Sequence, residues 1–246
     1  MKKRADLLIL DKQLAESRTK AQALIAEGQI FINGNKVLKN GELYNSDVDI
    51  VSKKSHPTWV SRGAIKLLHA LDYFKIDVTD FNCLDIGAST GGFTEVLLSK
   101  KVKKVYCVDV GSNQLHNKLI NNSKVLNIPK TNARYLTKNI IPELVNLIVC
   151  DVSFISMKKV IEPSLIFLEK KSGIIIALIK PQFESEKINI RKGGIITDYK
   201  IHEKICNDYK KWFSLECKMT VVGIIQSPIK GSAGNIEFLI CAKRQL

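Results

Sequence analysis

Four polar residues in this chain of 246 residues stand where apolar patterns end or break: Lys66, Asp151, Lys180 and Glu237. Asp151 closes the run LVNLIVC, Lys180 closes GIIIALI, and Glu237 interrupts NIEFLICA. Lys66 lies in a helical pattern ahead of a glycine-rich loop. Asp151 and Lys180 fall at the carboxyl ends of strand patterns, where open α/β sheets bind ligands. An acid inside an apolar strand requires a partner, because burying a charge alone is costly. Singly, each residue reads as a surface charge more readily than as a catalyst. Together, two lysines and two carboxylates suit the handling of a hydroxyl, a poor nucleophile that must be oriented closely or lose its proton.

The glycine loop says what such a hydroxyl would meet. Residues 81–93 read FNCLDIGASTGGF. An apolar strand pattern ends in Asp85, a loop of Gly87, Ala88, Ser89, Gly91 and Gly92 follows, and a helical pattern starts at Phe93. Glycines there let a backbone approach a ligand closely. A phosphate-cradling loop would place Lys where Phe93 stands, and the dinucleotide fingerprint would place Gly where Ser89 stands, so both fail. A second acid, Asp109, ends the next strand pattern, at about the spacing at which an acid reaches ribose hydroxyls. A nucleoside without phosphate fits, and S-adenosylmethionine is the expected cofactor, held by Asp85, Gly87, Ala88, Ser89, Gly91, Gly92, Phe93 and Asp109. Asn132 and Ala133 are expected to flank its adenine, and Asp151 its methionine end. An ordinary glycine turn is the competing reading.

These residues need elements to hold them. Strand patterns at 81–85, 104–109, 145–150 and 173–179 alternate with helical ones at 63–73, 92–100, 156–169 and 199–212. That alternation predicts a mostly parallel sheet with helices on both faces. Two last strands, 218–226 and 235–242, read as an antiparallel pair. The first sixty residues read differently. Helices are expected over Ala5–Leu14 and Glu16–Glu27, the latter capped by Ser17 and stopped at Gly28. A hairpin turn at Asn33-Gly34 follows. The segment HPTWV, 56–60, marks a boundary. The expected organisation is a domain at 1–56, a linker at 57–61 and a second domain at 62–246.

The formal net charge is +14, with +3 on residues 1–60 and +11 on 61–246, which favours a polyanionic partner. Six cysteines contain no C-x-x-C pair, so neither a metal site nor a disulfide framework is expected. The N-terminus lacks the pattern of a signal peptide, and no apolar run approaches a membrane span. A cytoplasmic protein that does not engage membranes is expected, with a monomer favoured.

Two resemblances sharpen this. Arg4, Leu7-Leu8, Leu14, Glu16-Ser17-Arg18, Lys20-Ala21-Gln22, Leu24-Ile25, Gly28 and Ile30-x-Ile32-Asn33-Gly34 resemble the S-four-type RNA-binding module. That likeness implies that Arg4, Ser17, Arg18, Lys20 and Lys36 face RNA. Further on, VSRGAIKL (60–67), LDIGASTGGFTEVLL (84–98), VYCVDVG (105–111), CDVSFIS (150–156), LIKPQFE (178–184) and GNIEFL (234–239) resemble the FtsJ-like ribose 2′-O-methyltransferases. The two joined resemble the TlyA family of ribosomal RNA 2′-O-methyltransferases, also called hemolysin A.

The implied fold is α/β: a Rossmann-like, class I S-adenosylmethionine-dependent methyltransferase sheet behind a small α+β S-four-type domain. The implied activity is methyl transfer to a ribose 2′-hydroxyl of ribosomal RNA or ribosomal subunits. By the likeness, the family's Lys-Asp-Lys-Glu tetrad falls on Lys66, Asp151, Lys180 and Glu237. Lys180 would activate the hydroxyl, Asp151 would position it, and Lys66 and Glu237 would orient the ribose. Asp151-Val152-Ser153-Phe154 lacks the two prolines common in base methyltransferases acting on exocyclic amines. The competing classes are a non-catalytic RNA-binding or ribosome-assembly factor and a membrane-active hemolysin.

Overall fold

The computed structural model describes residues 2–26, 28–52, 59–185, 194–231 and 234–244. The chain divides into two compact units, Met1–Thr58 and Trp59–Leu246. The expected linker at 57–61 begins outside the described residues.

The first unit contains β1 (Lys2–Arg4), α1 (Ala5–Asp11), α2 (Arg18–Ala26), β2 (Ile30–Ile32), β3 (Asn35–Lys36), β4 (Leu43–Asn45) and β5 (Ile50–Ser52). Helix α1 is shorter than its apolar pattern suggested, because Gln13 turns left-handed at φ 56° and leads the chain out of the helix. Ser17 caps α2, its Oγ accepting from Lys20 N at 3.2 Å. Asn33 and Gly34 both have positive φ, 50° and 79°, and join β2 to β3 in the turn their types favour. β2 also pairs with β5, and β1 with β4. The core under these elements includes Ile9, Ala21, Ile25, Ile30, Ile32 and Val37.

The second unit runs α3 (Gly63–Phe74), β6 (Asn82–Ile86), α4 (Gly92–Ser99), β7 (Lys104–Val108), α5 (Asn117–Ile120), β8 (Val125–Ile128), β9 (Leu147–Cys150) and α6 (Lys158–Ser164). Then come β10 (Ile174–Ile179), α7 (Pro181–Glu184), α8 (Tyr199–Leu215), β11 (Met219–Gln226) and β12 (Phe238–Arg244). The helix expected over 156–169 is divided. Pro163 lies in α6 without an N–H for the ladder, and a 3₁₀ turn over Leu165–Phe167 finishes the segment.

Seven strands form one sheet in the order β11-β12-β10-β9-β6-β7-β8. The pairs among β10, β9, β6, β7 and β8 are parallel, and β12 is antiparallel to both of its neighbours. Side chains of β10 alternate between two cores. Ile174, Ile176 and Leu178 join one that contains Leu67 and Leu71 of α3 and Phe93 and Val96 of α4. Ile175, Ala177 and Ile179 join the other, with Val160 of α6 and Trp212 and Phe213 of α8. Burial on both faces is why these strands read as continuous apolar runs. All six cysteines are free.

Strand order reverses at the centre of this sheet. From β6 the chain winds outward through β7 and β8, then returns to β9 on the other side and winds toward β10. A crevice opens at such a switch point, outside the carboxyl ends of the strands.

Candidate active site

Sheet register assembles the four polar residues. Ile179 pairs with Phe238 across the antiparallel β10–β12 ladder, so Lys180 and Glu237 leave neighbouring strands at the same end of the sheet. Cys150 pairs with Ile86, and Asp151 N donates to Ile86 O at 3.0 Å, which sets Asp151 beside Gly87. Lys66 arrives from α3. It shares a helix stripe with Ala70 and Phe74 and, like them, is buried.

The side chains form a line of alternating charge. Glu237 Oε2 accepts from Lys66 Nζ at 2.7 Å. Lys66 Nζ lies 3.8 Å from Asp151 Oδ2, and Lys180 Nζ lies 2.5 Å from Asp151 Oδ1. Lys180 also donates to Ser153 Oγ at 2.8 Å. Glu237 is 2 % exposed, so its partners are what make its burial tolerable. Gln182 supplies another, its Nε2 reaching Glu237 Oε1 at 3.5 Å.

All four residues line one cavity of about 390 Å³. A second, of about 550 Å³, adjoins it and shares Gly87, Ser89, Asp151, Ser153 and Phe154. The second is walled by apolar groups, among them Val108, Val110, Ala133 and Val160, with Asp109 and Asn132 as polar members. Asp109 braces the glycine loop. Its Oδ2 accepts from Ser89 N at 2.8 Å and its Oδ1 from Gly111 N at 2.7 Å.

The glycines differ in what they permit. Gly87 has φ 81°, and a Cβ there would come within 2.6 Å of Asp151 O. Gly92 touches the first cavity, where a Cβ would lie 2.8 Å from Ser61 Oγ. Ala88 and Phe93 line that cavity too. Gly91 lines neither cavity. It starts α4 in a left-handed conformation against Leu119 and Leu115, so its part is local folding.

Asp85 also departs from expectation, for it lines neither cavity. It is fully buried, and its Oδ2 accepts from Thr94 Oγ1 at 2.6 Å. Burial, with Asp151 nearby, pushes its carboxyl up to about 7 against the pull of the Thr94 hydrogen bond. It holds the start of α4 to the end of β6.

Several cavity residues escaped the reading of the residues: Ser61 and Arg62 before α3, Ser153 and Phe154 after β9, and Gln182 and Phe183 after Lys180. Phe154 carried a sign invisible in sequence. It is 91 % exposed, has φ 65°, and its ring centroid lies 5.0 Å from that of Phe183. Ile229, Lys230 and Gly231 enter from the connection between β11 and β12.

In the first unit, the residues implied to face RNA have partners within the fold. Asp6 is fully buried and accepts from Arg4 Nε and Nη2, Arg18 Nε and Gln22 Nε2, each at 3.0 Å. The Arg4 hydrogen bond leads in holding the Asp6 carboxyl far below the usual carboxylate range. Lys20 pairs with Glu16 at 2.9 Å on the surface. Lys36 is exposed in β3, its side chain running beside Gly28. Among the described residues no group of three His, Cys, Asp or Glu could hold a metal ion, and no helix is long and apolar enough to cross a membrane.

A switch-point crevice behind a glycine loop, in a sheet of this order, defines the methyltransferase fold. A chain from Listeria monocytogenes described as a methyltransferase shares it at a TM-score of 0.52 and 13% identity, over 75% of this chain and 99% of that one. The chain belongs to the FtsJ-like methyltransferases, matched over residues 59–244, and within them to the TlyA family, with an S4 domain matched over residues 3–50.

Hemolysin A of Brachyspira hyodysenteriae is 42% identical over 238 residues, covering 96% of this chain and 98% of the relative. The 16S/23S rRNA (cytidine-2′-O)-methyltransferase TlyA of Mycobacterium tuberculosis is 37% identical over 243 residues, covering 98% and 90%. A solved chain from Streptococcus thermophilus, described as a candidate hemolysin, superposes with a TM-score of 0.74 at 36% identity, covering 99% and 89%.

Proposed function

We propose that the protein transfers a methyl group from S-adenosylmethionine to a ribose 2′-hydroxyl of ribosomal RNA. The observation that carries this reading is the Lys66–Asp151–Lys180–Glu237 line in a cavity that shares the glycine-loop wall with the adjoining one. The name of the Mycobacterium tuberculosis relative points the same way.

The residues present fit the cofactor. A cavity of about 550 Å³ is within the range of roughly 300–1,000 Å³ usual for small-molecule sites. Its apolar walls suit an adenine, and the half-buried Asp109 carboxylate keeps lone pairs for ribose hydroxyls beyond its two backbone bonds. Ala88, Ser89 and Gly87 would carry the loop past the donor, with Asn132 and Ala133 at the adenine. When bound, the donor supplies an electrophilic methyl group on a sulfonium.

The chain's own part is to present the hydroxyl. Lys180 contacts the acceptor oxygen and either takes its proton or, remaining charged, fixes its orientation. Asp151 holds the Lys180 amine, and Lys66 and Glu237 orient the ribose. Phe154 and Phe183 offer an aromatic face beside the cavity on which an unstacked base can rest. We further propose that residues 1–56 supply RNA affinity, through Arg4, Ser17, Arg18, Lys20 and Lys36, while residues 62–246 carry the chemistry.

The test is to incubate the purified protein with ribosomal subunits and labelled S-adenosylmethionine and to map the methylated nucleotides. Label on a ribose 2′-oxygen supports the reading. Label on a base, or donor binding with no transfer to any ribosomal RNA, overturns it.

A further inference from the structure

We infer that Ser153 is a positioning residue for Lys180: its hydroxyl, together with the Asp151 carboxylate, fixes the direction in which the lysine amine meets the acceptor. The inference rests on the methyltransferase reading above.

Lys180 reaches the site on a flexible four-carbon stem. Its backbone is held where β10 ends, by the following Pro181, and its side chain is one-tenth exposed. The amine has two neighbours of different kinds, Asp151 Oδ1 at 2.5 Å and Ser153 Oγ at 2.8 Å. A single carboxylate partner would leave the amine free to pivot about one contact. The Ser153 hydrogen bond fixes one N–H direction, while Asp151 Oδ1, which takes part in no hydrogen bond among the described residues, holds the amine by charge alone. Lys180 and Ser153 line the same acceptor cavity.

The two partners are not equivalent. An ionised carboxylate only accepts hydrogen bonds, whereas a hydroxyl accepts and donates. Ser153 Oγ accepts from an ammonium, and the same group can turn and donate to a neutral amine. Ser153 can therefore hold the lone pair of a neutral lysine as well as an N–H of a charged one, and only the second of these is open to the Asp151 carboxylate.

Backbone strain next to Ser153 supports a built-in role. Phe154 has φ 65°, a left-handed conformation that a non-glycine residue adopts only at an energetic cost. With 91 % of its surface exposed, Phe154 recovers little of that through burial. The bend accompanies an outward Phe154 ring, tilted against that of Phe183, and a Ser153 hydroxyl on Lys180. Ser153 also lines the adjoining cavity, so the hydroxyl stands between the two compartments.

The experiment uses the full-length protein with ribosomal subunits at saturating substrate and compares Ser153→Ala and Ser153→Thr with the parent. Single-turnover methylation is measured against pH, donor affinity by calorimetry, and folding by thermal melting. For a misplaced catalytic amine, Ser153→Ala is expected to lose about 10²-fold in rate. Donor affinity and melting should hold, and the pH–rate profile should change shape. Ser153→Thr, which keeps the hydroxyl, should restore most of the rate and the parental profile. A folded Ser153→Ala with the parental rate and profile overturns the inference, as does a Ser153→Thr no better than Ser153→Ala. A parent protein that methylates no ribose overturns the underlying reading as well, which separates the two failures.

Discussion

Lys66 and Glu237 are 171 positions apart in sequence and 2.7 Å apart in space, both buried. The pair ties α3 to the start of β12 and forms one end of the charge line. Removing one member of a buried pair costs up to about 3–5 kcal/mol, and less here because Lys66 keeps Asp151 at 3.8 Å. Glu237→Ala is expected to lose stability on that order in urea unfolding. Lys66→Met combined with Glu237→Leu should recover much of the stability and none of the methylation. If the double variant regains activity, the pair is structural only.

Lys180→Ala is expected to lower single-turnover methylation by roughly 10²–10⁴-fold, the usual contribution of a positioned acid–base group. Donor affinity should be spared, because the amine serves the acceptor side. Lys180→Arg should not rescue, since arginine does not release its proton and its planar fork cannot copy a compact amine. Parental single-turnover rates in either variant would remove Lys180 from the mechanism.

Gly87→Val tests the loop. The left-handed φ of 81° and a Cβ only 2.6 Å from Asp151 O leave no room for a side chain. The loop must shift, and donor affinity by calorimetry should fall at least tenfold, about 1.4 kcal/mol. Unchanged affinity in a folded variant would mean that the donor does not rest there.

Asp85 should give the protein a pH-dependent stability. Its native carboxyl is raised from 3.8 to about 7, chiefly by burial. The native state thus holds this proton more tightly than the unfolded chain does. The resulting stabilisation is fully present below about 4 and is lost as pH rises through about 7. Its Oδ1 has no hydrogen-bond partner among the described residues. Asp85→Asn, uncharged at all pH values, is expected to flatten the fall in melting temperature between about pH 5 and 8. An equally steep fall in the variant would assign the dependence to other groups.

Arg62 and Lys230 line the acceptor cavity, and neither has an ion-pair partner among the described residues. Each is free to meet a phosphate of the substrate strand. Replacing either with Ala should reduce the slope of log affinity against log salt by about 0.7–0.9, one phosphate contact's worth. An unchanged slope would leave the substrate backbone elsewhere.

Much of the site was readable because strand ends are. Asp151 and Lys180 follow apolar runs buried on both faces, and such runs stop abruptly at the ligand end of a parallel sheet. Glu237 stood out as an acid interrupting an apolar strand pattern at 235–242, although β12 itself starts one residue later, at Phe238. Ser17 and Asn33-Gly34 announced their cap and turn through local chemistry, which sequence displays directly. Asp85 misled because the acid that ends a strand can point into the core as easily as into the crevice. The choice depends on alternation against neighbouring strands. Asp6 went unnoticed for a related reason. Its convergence with Arg4, Arg18 and Gln22 exists only after α1 and α2 have packed. The Phe154 conformation left no sequence mark.

The place of β12 between β10 and β11 has a consequence for how the protein acquires its shape. Of the pairings in the large sheet, β11–β12 is the one closed by an antiparallel connection between consecutive strands, and such hairpins zip within about 1–10 μs. The parallel pairings of β6 with β9 and of β9 with β10 require crossovers, whose loop-closure entropy slows them. The hairpin carrying Glu237 is therefore expected to form early and wait, docking only once β10 has a parallel neighbour. In refolding, strand content should appear first and the Lys66–Glu237 contact last, with methylation recovering on the slowest phase.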